Sequence, residues 1–189
     1  MLSVKQRQDY LKDLGFYTGV VDGIEGAKTK AAYKALQSKY FVRKKDIDGI
    51  YGKNTDILLV NAFNVKKYTK NFKLEEFKCN CGGAHCTGYP VYLSISLLEN
   101  VQKVRNKFGS VVITSGLRCE KHNAAVGGVS GSRHKSGKAL DIRVSIGVTE
   151  AGRKKVMSYW QTLPNYRYTY CNIGGNYPNM GNSVHIDVS

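Results

Sequence analysis

Apolar residues in the first third of the chain recur at helical spacing in three separate stretches. Side chains three, four or seven positions apart share one face of a helix, so each stretch predicts a short helix with one buried side. Three such helices favour a small bundle that buries these faces against one another. The residues on the predicted faces are Val4, Leu11 and Leu14, then Ala32, Tyr33 and Leu36, then Ile57 and Val60.

The pattern changes in the rest of the chain, where helical spacing gives way in places to apolar runs and to alternation. Helical spacing recurs at residues 97–108 and 149–162. An unbroken apolar run predicts a buried strand, and strict alternation predicts a strand with one buried face. The fold class is therefore α+β, with an N-terminal three-helix bundle. The predicted strands are residues 111–114, a segment that begins near Lys138, residues 166–170 and residues 183–189.

Two loops in the N-terminal part repeat one another. Residues 22–29 are Asp-Gly-Ile-Glu-Gly-Ala-Lys-Thr and residues 48–55 are Asp-Gly-Ile-Tyr-Gly-Lys-Asn-Thr, a self-match displaced by 26 residues. The paired glycines permit tight turns with positive φ. A threonine closes each copy, and we expect Thr29 and Thr55 to cap the helices that follow.

A change of pattern also marks a boundary between domains. Helical periodicity stops between Lys66 and Lys73, where lysines accumulate. Such a stretch is typical of a connecting segment. We therefore expect a helical domain at residues 1–66, a linker at residues 67–72 and a second domain at residues 73–189.

Positive charge is spread over the whole chain. The formal net charge is +15, and residues 1–70 carry 14 Lys and Arg against 7 Asp and Glu, while residues 71–189 carry 15 against 7. A field of this sign concentrates anionic partners around a protein. An even spread without a basic and aromatic recognition motif favours an extended anionic matrix over nucleic acid. Nucleic-acid binding through net charge alone is kept as the weaker alternative.

The chain carries no membrane or export signal that we can identify. No apolar run approaches the roughly 18 residues that a membrane-spanning helix requires. The N-terminus also lacks an apolar segment that ends in a small-residue cleavage site. We therefore expect synthesis in the cytoplasm without a signal peptide and no insertion into a membrane.

The most informative segment is residues 132–143, Ser-Arg-His-Lys-Ser-Gly-Lys-Ala-Leu-Asp-Ile-Arg. With a strand period of two, Leu140 and Ile142 face the core while Asp141 faces the other side. Gly137 lets the preceding loop fold back, so that His134 points toward the same place as the Asp141 carboxylate.

The last segment of the chain offers a partner for these residues. Residues 183–189 alternate, and His185 lies on the polar face. If this strand pairs antiparallel with the strand of Asp141, opposed side chains lie about 5 Å apart and can share a cation with His134. Two histidines and one carboxylate leave the fourth zinc position open for water, as in catalytic zinc sites. Taken singly, each residue is better explained by an ordinary structural role.

The complete pattern, Ser-x-His-x6-Asp followed by a distant His-x-Asp, resembles the zinc D,D-carboxypeptidase and endopeptidase family M15. The likeness covers about residues 72–189. It implies a small antiparallel sheet flanked by helices, of the hedgehog and D,D-peptidase type. The other shared motifs are Phe-x-Cys-x-Cys at 77–81, Ser-Gly-x-Arg at 115–118, Asn-x-x-Val-Gly-Gly at 123–128 and Tyr-Pro at 177–178.

This resemblance assigns roles to particular residues. It implies that His134, Asp141 and His185 bind one catalytic zinc ion. It also implies that Arg118 binds the carbonyl or carboxylate of the substrate, where its fixed positive charge can stabilise the negative charge that develops on the carbonyl oxygen.

The general base is the weak point of the match. Some relatives place Glu or Asp three residues before the last ligand, where this chain has Asn182, and an amide cannot act as a base. Asp187 shares the strand face of His185 about 7 Å along, so it is a candidate for proton transfer or for orienting that histidine. His122 and Asn123 are further candidates for orienting the substrate.

The N-terminal part resembles the type 1 peptidoglycan-binding domain, a three-helix module. The likeness covers about residues 3–65 and rests on the turn Gly-Phe-Tyr-Thr-Gly at 15–19 and on both Asp-Gly-Ile-x-Gly loops. Glycines in such loops are explained by turn geometry whatever the function. Binding to peptidoglycan, and to anionic wall polymers, is therefore implied by the resemblance and the charge.

Both halves together predict a monomeric zinc metallopeptidase that hydrolyses bacterial peptidoglycan, as a phage or prophage endolysin does. The bond stays open among the terminal D-Ala-D-Ala link, the L-Ala-D-Glu link of the stem peptide and a cross-bridge. The alternative, which Asn182 supports, is a non-catalytic, zinc-containing protein that binds the cell wall.

Three of the five cysteines, Cys79, Cys81 and Cys86, crowd together beside His85. Structural disulfides are not expected in a chain without an export signal. The cluster is a candidate for a structural zinc site, but Cys-x-Cys spacing is tighter than the gaps of common zinc sites. Ordinary buried or surface thiols are the favoured explanation.

Overall fold

The computed structural model describes all residues, 1–189, as a helical part followed by a sheet part. The helical part contains α1 (Val4–Asp13), α2 (Ala27–Tyr40) and α3 (Lys53–Tyr68). The rest combines three helices with four strands, which confirms the predicted α+β class. No helix is both long enough and apolar enough to cross a membrane. The later elements are α4 (Ile95–Phe108), β1 (Val111–Ser115), α5 (Glu120–Ala125), β2 (Ala139–Val144), α6 (Glu150–Gln161), β3 (Tyr166–Cys171) and β4 (Val184–Val188).

The sheet is antiparallel throughout, with the strand order β1-β2-β4-β3. The central strands are therefore β2 and β4, and Asp141 lies directly opposite His185. Helices α4 and α6 pack against the sheet, and Leu140 and Ile142 are fully buried. Strand β1 is an edge strand, so the expectation of a buried strand fails at Val112, which is 55% exposed.

One buried glutamine holds each of the two repeated loops. The side-chain amide of Gln8 donates to Asp22 Oδ1, to the carbonyl of Ile24 and to Thr29 Oγ1, at 2.8–3.2 Å. Gln37 makes the equivalent three bonds in the second loop. The repeat in the sequence is therefore a repeat of one hydrogen-bonded loop, which fixes the start of the helix behind it.

The closing threonines do not cap these helices, so that prediction was wrong. The N-cap residues are Gly26 and Gly52, and neither helix has a side-chain cap. Thr29 instead lies within the first turn of α2, and its hydroxyl lies 3.4 Å from the carbonyl oxygen of Ile24. The Thr29 hydroxyl contacts the loop carbonyl and the amide of the buried glutamine, so it does not cap the start of α2.

The helical part and the sheet part share one hydrophobic core. Helix α3 continues to Tyr68, inside the segment expected to be a linker, and Phe72 at the end of that segment is buried. Asn61 on α3 donates to the carbonyl of Val91 and accepts from the N–H of Leu93. The two parts are therefore fixed against one another by packing and by hydrogen bonds.

A carboxylate on α3 strengthens this junction. Asp56 accepts hydrogen bonds from the N–H of Leu2 at 2.8 Å, from the hydroxyl of Tyr51 at 2.6 Å and from the hydroxyl of Tyr92. Burial disfavours the charged form, but these donors outweigh burial and lower the pKa of Asp56. The carboxylate thus stabilises the fold in its ionised state.

We expect Asp56→Ala to lower the free energy of unfolding by about 2–3 kcal/mol near pH 7, because a charged, buried acceptor is removed from its donors. The folded-state pKa lies below the ordinary 3.8, so the stabilisation is complete above that value and is lost as the pH falls through the folded-state pKa. Urea unfolding of wild type and variant at about pH 7 and about pH 3 measures the difference, with exposed Asp9→Ala as the control. An equal difference at both pH values would contradict this role.

Candidate metal centre

Three side chains capable of binding a metal meet at the middle of the sheet. Asp141 on β2 faces His185 on β4, and His134 approaches from the 3-10 turn Arg133–Ser136. Asp141 Oδ1 lies 2.8 Å from His185 Nδ1 and 3.3 Å from His134 Nε2. One ligand atom from each residue lies within 4.8 Å of the other two, and all three side chains are buried. The structure thus brings together the three ligands that the sequence suggests.

A turn at Gly137 allows His134 to reach Asp141 and His185. Gly137 has φ +69, and a Cβ at this position would lie 1.9 Å from the carbonyl oxygen of Tyr92. Any other residue would therefore force the chain apart here.

The protonation of His134 leaves one nitrogen free to bind a metal. Nδ1 lies 2.8 Å from the carbonyl oxygen of Gly116. Because a carbonyl only accepts, Nδ1 carries the hydrogen and Nε2 of the neutral ring keeps its lone pair. This Nε2 is buried and has no hydrogen-bond partner. A cation between Nε2 and the Asp141 carboxylate would satisfy both groups, so the residues present fit a bound metal.

Asp141 supplies the negative charge of the group. Burial disfavours its ionisation, but the adjoining imidazoles of His134 and His185 outweigh burial and hold the pKa of Asp141 well below its ordinary value. The side chain is therefore a carboxylate at neutral pH. One carboxylate with two imidazoles is a donor set of catalytic zinc sites, in which a fourth position stays open.

Asp187 holds His185 from its other side. The Nε2 atom of His185 lies 3.5 Å from Asp187 Oδ2, which also lies 3.1 Å from Nη1 of Arg167. Burial lowers the pKa of His185, but the carboxylates of Asp141 and Asp187 outweigh burial and raise it. Asp187 therefore contacts the nitrogen that points away from Asp141. This arrangement favours orientation of the histidine over proton transfer to a substrate.

Arg118 lies beside the His134, Asp141 and His185 group and forms an ion pair with Asp141. Its Nη2 donates to Asp141 Oδ2 at 2.8 Å, and Nε and Nη2 donate to Ser115 Oγ at 3.0 and 2.8 Å. Its side chain is 16% exposed, so the ion pair is not an ordinary surface contact. Nη1 makes no hydrogen bond with the protein, and its N–H groups are available to a substrate oxygen.

The other residues singled out in the sequence lie outside the triad. Asn123 is buried on α5, and its amide donates at 3.0 Å to two carbonyls of the glycine-rich loop that follows. His122 is half-buried on the same helix and makes no side-chain hydrogen bond. Asn182 Oδ1 lies 3.2 Å from Nη1 of Arg153 and accepts a hydrogen bond from it. The structure therefore gives Asn123 and Asn182 structural partners and leaves His122 free.

An aromatic wall that the sequence did not predict lies on one side of the site. The ring of Tyr170 stacks on His185, with centroids 4.7 Å apart, and Tyr177 lies 4.8 Å from Tyr170. Burial raises the pKa of Tyr170, so its hydroxyl is neutral. Alternation of Tyr166, Tyr168 and Tyr170 was visible in the sequence. The register that places Tyr170 opposite His185 was not.

The fold and the site together define a metallohydrolase-type centre, with a buried two-histidine, one-carboxylate group on the central strands of an α+β domain. Residues 70–187 match the sequence model of the family Peptidase M15, and residues 2–56 match that of the peptidoglycan binding domain. The chain therefore belongs to the M15 peptidase family. Both resemblances drawn from the motifs are confirmed.

Two characterised relatives agree with this assignment. The zinc D-Ala-D-Ala carboxypeptidase of Streptomyces albus G is 27% identical over 172 residues, which cover 88% of this chain and 63% of that enzyme. The spore cortex-lytic enzyme of Bacillus cereus is 39% identical over 80 residues, which cover 42% of this chain and 30% of that enzyme. The chain thus spans less than two thirds of the length of either relative.

The contact between Asp187 and His185 leads to a prediction that separates orientation from proton transfer. We expect Asp187→Ala to weaken zinc affinity about 10- to 100-fold, because the histidine loses the carboxylate that orients it. Asp187→Asn retains an oxygen acceptor and should recover part of the affinity. Competition with a chromogenic chelator measures both variants. Unchanged zinc affinity and unchanged peptidase rate in Asp187→Ala would refute any role for this residue.

Proposed function

We propose that this protein is a zinc-dependent peptidase that hydrolyses a peptide bond of bacterial peptidoglycan. The observation that carries the proposal is the convergence of His134 Nε2, the Asp141 carboxylate and His185 Nδ1 on one buried point. Membership of the M15 family supports the reaction type. The peptidoglycan binding domain match supports the substrate class.

The three proposed ligands would contribute to zinc binding in different ways. Asp141 would supply negative charge, and His134 would be held in the correct tautomer by Gly116. His185 would be held by Asp187. When bound, zinc would act as a Lewis acid that polarises a peptide carbonyl and makes water nucleophilic near neutral pH.

Arg118 would bind the substrate. Its free Nη1 can donate to the carbonyl oxygen of the scissile bond or to a terminal carboxylate, while its other nitrogens stay fixed on Ser115 and Asp141. A donor held in advance stabilises developing negative charge without reorganisation. The ring of Tyr170 covers one side of His185 and would limit access of water there.

Among the candidate bonds we propose the D-Ala-D-Ala link. A stem peptide that ends in D-Ala-D-Ala presents a carboxylate next to the scissile bond, and a guanidinium is well suited to bind one. The carboxypeptidase relative, which aligns with 88% of this chain, is named for the same link.

We also propose that the chain acts on whole walls, in the manner of an endolysin. The helical part would bind the wall, and the net charge of +15 would draw the protein to anionic wall polymers. Cytoplasmic expression followed by permeabilisation of the membrane tests this role. Rapid clearing only after permeabilisation is expected, and intact cells after permeabilisation would contradict it.

Digestion of isolated cell walls tests the enzymatic proposal. We expect loss of turbidity that a chelator abolishes and that added zinc restores. Mass spectrometry of the muropeptides should show loss of the terminal alanine or opening of cross-links made to the penultimate alanine. Binding to walls without any cleavage would favour the non-catalytic alternative. Cleavage at L-Ala-D-Glu would overturn the choice of bond alone.

A further inference from the structure

Four cysteine side chains meet in a second cluster that the proposed reaction does not use. The sulfur atoms of Cys79, Cys81, Cys86 and Cys119 all lie within 4.8 Å of one another, and Cys81 Sγ lies 3.5 Å from Cys86 Sγ. All four are free thiols. His85, which is adjacent in sequence, is not part of this group. The fourth position is taken by Cys119, which is 33 residues beyond Cys86 in the chain.

The spacing of the sulfur atoms is that of a metal cage. A disulfide joins two sulfurs at about 2.05 Å, far shorter than any separation here. In a tetrahedral site with Zn–S bonds of about 2.3 Å, geometry places the sulfurs about 3.8 Å apart. The 3.5 Å between Cys81 Sγ and Cys86 Sγ and the upper limit of 4.8 Å for all pairs are compatible with that value.

We propose that Cys79, Cys81, Cys86 and Cys119 bind a second zinc ion, which has a structural role. Four thiolates in a closed tetrahedral set are typical of structural zinc, because no position remains for water or substrate. This inference does not depend on the proposed peptidase activity, since none of the four cysteines belongs to the His134, Asp141 and His185 group.

A backbone N–H group already donates to one of the sulfurs, as such groups do around bound thiolates. The N–H of Cys119 lies 3.4 Å from Cys79 Sγ. Such donors stabilise negative sulfur and fix its direction.

Four neighbouring thiolates repel one another, so the cluster needs a cation to ionise fully. Zinc binding would release the remaining protons to solvent, with no change of oxidation state.

The position of the cluster explains what the ion would stabilise. Cys119 directly follows Arg118, and the carbonyl of Phe77, two residues before Cys79, accepts from the N–H of Leu117 at 2.9 Å. The zinc ion would therefore fasten the segment after Phe77 to the loop that carries the substrate-binding arginine.

The segment after Phe77 also reaches the helical part of the protein. The carbonyl of Thr87 accepts a hydrogen bond from the N–H of Val42 at 3.1 Å. A Cβ added to Gly83 would lie 3.1–3.2 Å from side-chain atoms of Val42 and Arg43. The ion would thus brace the junction between the two parts as well as the active-site loop.

Metal content of purified, reduced protein tests the inference. We expect two zinc ions per chain in the wild type and one in Cys86→Ser or Cys119→Ser. Cys171→Ser, which changes a buried cysteine outside the cluster, should retain two. Asp141→Asn should lose the other ion and keep the cluster ion. A failure of the cluster and a failure of the proposed active site are therefore distinguishable.

A second measurement covers the case in which the cysteine variants do not fold. Titration of wild-type thiols with an organomercurial should release one equivalent of zinc to an indicator dye as four thiols react. Wild-type protein with no more than one zinc, removed entirely by Asp141→Asn, would overturn the proposal. So would a disulfide between cluster cysteines in reduced preparations, or iron in place of zinc.

Discussion

Asp141→Asn should sharply reduce the proposed peptidase activity while leaving the fold intact. The substitution removes the only carboxylate from the proposed ligand set, and Lewis-acid stabilisation worth several kcal/mol would be lost with the ion. We expect kcat/KM to fall about 10³-fold or more. Zinc content should fall by one equivalent.

The control for this experiment is Asp9→Asn, which changes an exposed aspartate on α1. Thermal unfolding with and without added zinc adds an independent readout, because an ion that binds only the folded state raises the unfolding temperature. Asp141→Asn protein that keeps both its zinc content and its rate would show that the activity does not depend on this site.

Arg118→Ala should lower the rate without removing zinc. Loss of a preorganised donor to a developing oxyanion costs about 3 kcal/mol, so kcat should fall about 10²-fold. Arg118→Lys restores the charge but not the fork that holds Ser115 and Asp141 together, and we expect only partial recovery.

Steady-state kinetics on a synthetic stem peptide separates transition-state stabilisation by Arg118 from ground-state binding of the substrate. A lower kcat indicates stabilisation of the transition state, and a higher KM alone indicates ground-state binding of the carboxylate. Arg143→Ala is the matched control, because this exposed arginine lies two residues after Asp141 on β2. Full activity in Arg118→Ala would leave this arginine with a structural role only.

The site residues that could be predicted from the sequence are those whose position follows from local periodicity. Alternation around Asp141 and His185 placed each side chain on the polar face of its strand, and the structure pairs the two residues directly. Gly137 could be identified as a turn residue because His134 had to reach the same face. These inferences need only a few neighbouring residues.

The parts that were missed depend on contacts between distant segments. Cys119 joins the cysteine cluster because the loop after β1 packs on the segment after Phe77. Tyr170 reaches His185 through a strand register that no local pattern specifies. Threonine caps were expected from composition, but two buried glutamines compete for the same hydroxyls. Long-range packing therefore decided each point that local rules could not.

Anomalous diffraction at the zinc absorption edge, from crystals of the reduced protein, would locate a zinc ion in the candidate metal centre. We expect a peak at about 2.0–2.2 Å from His134 Nε2, from a carboxylate oxygen of Asp141 and from His185 Nδ1. Absence of a peak at this position in zinc-supplemented crystals of protein that still cleaves peptidoglycan would contradict this expectation.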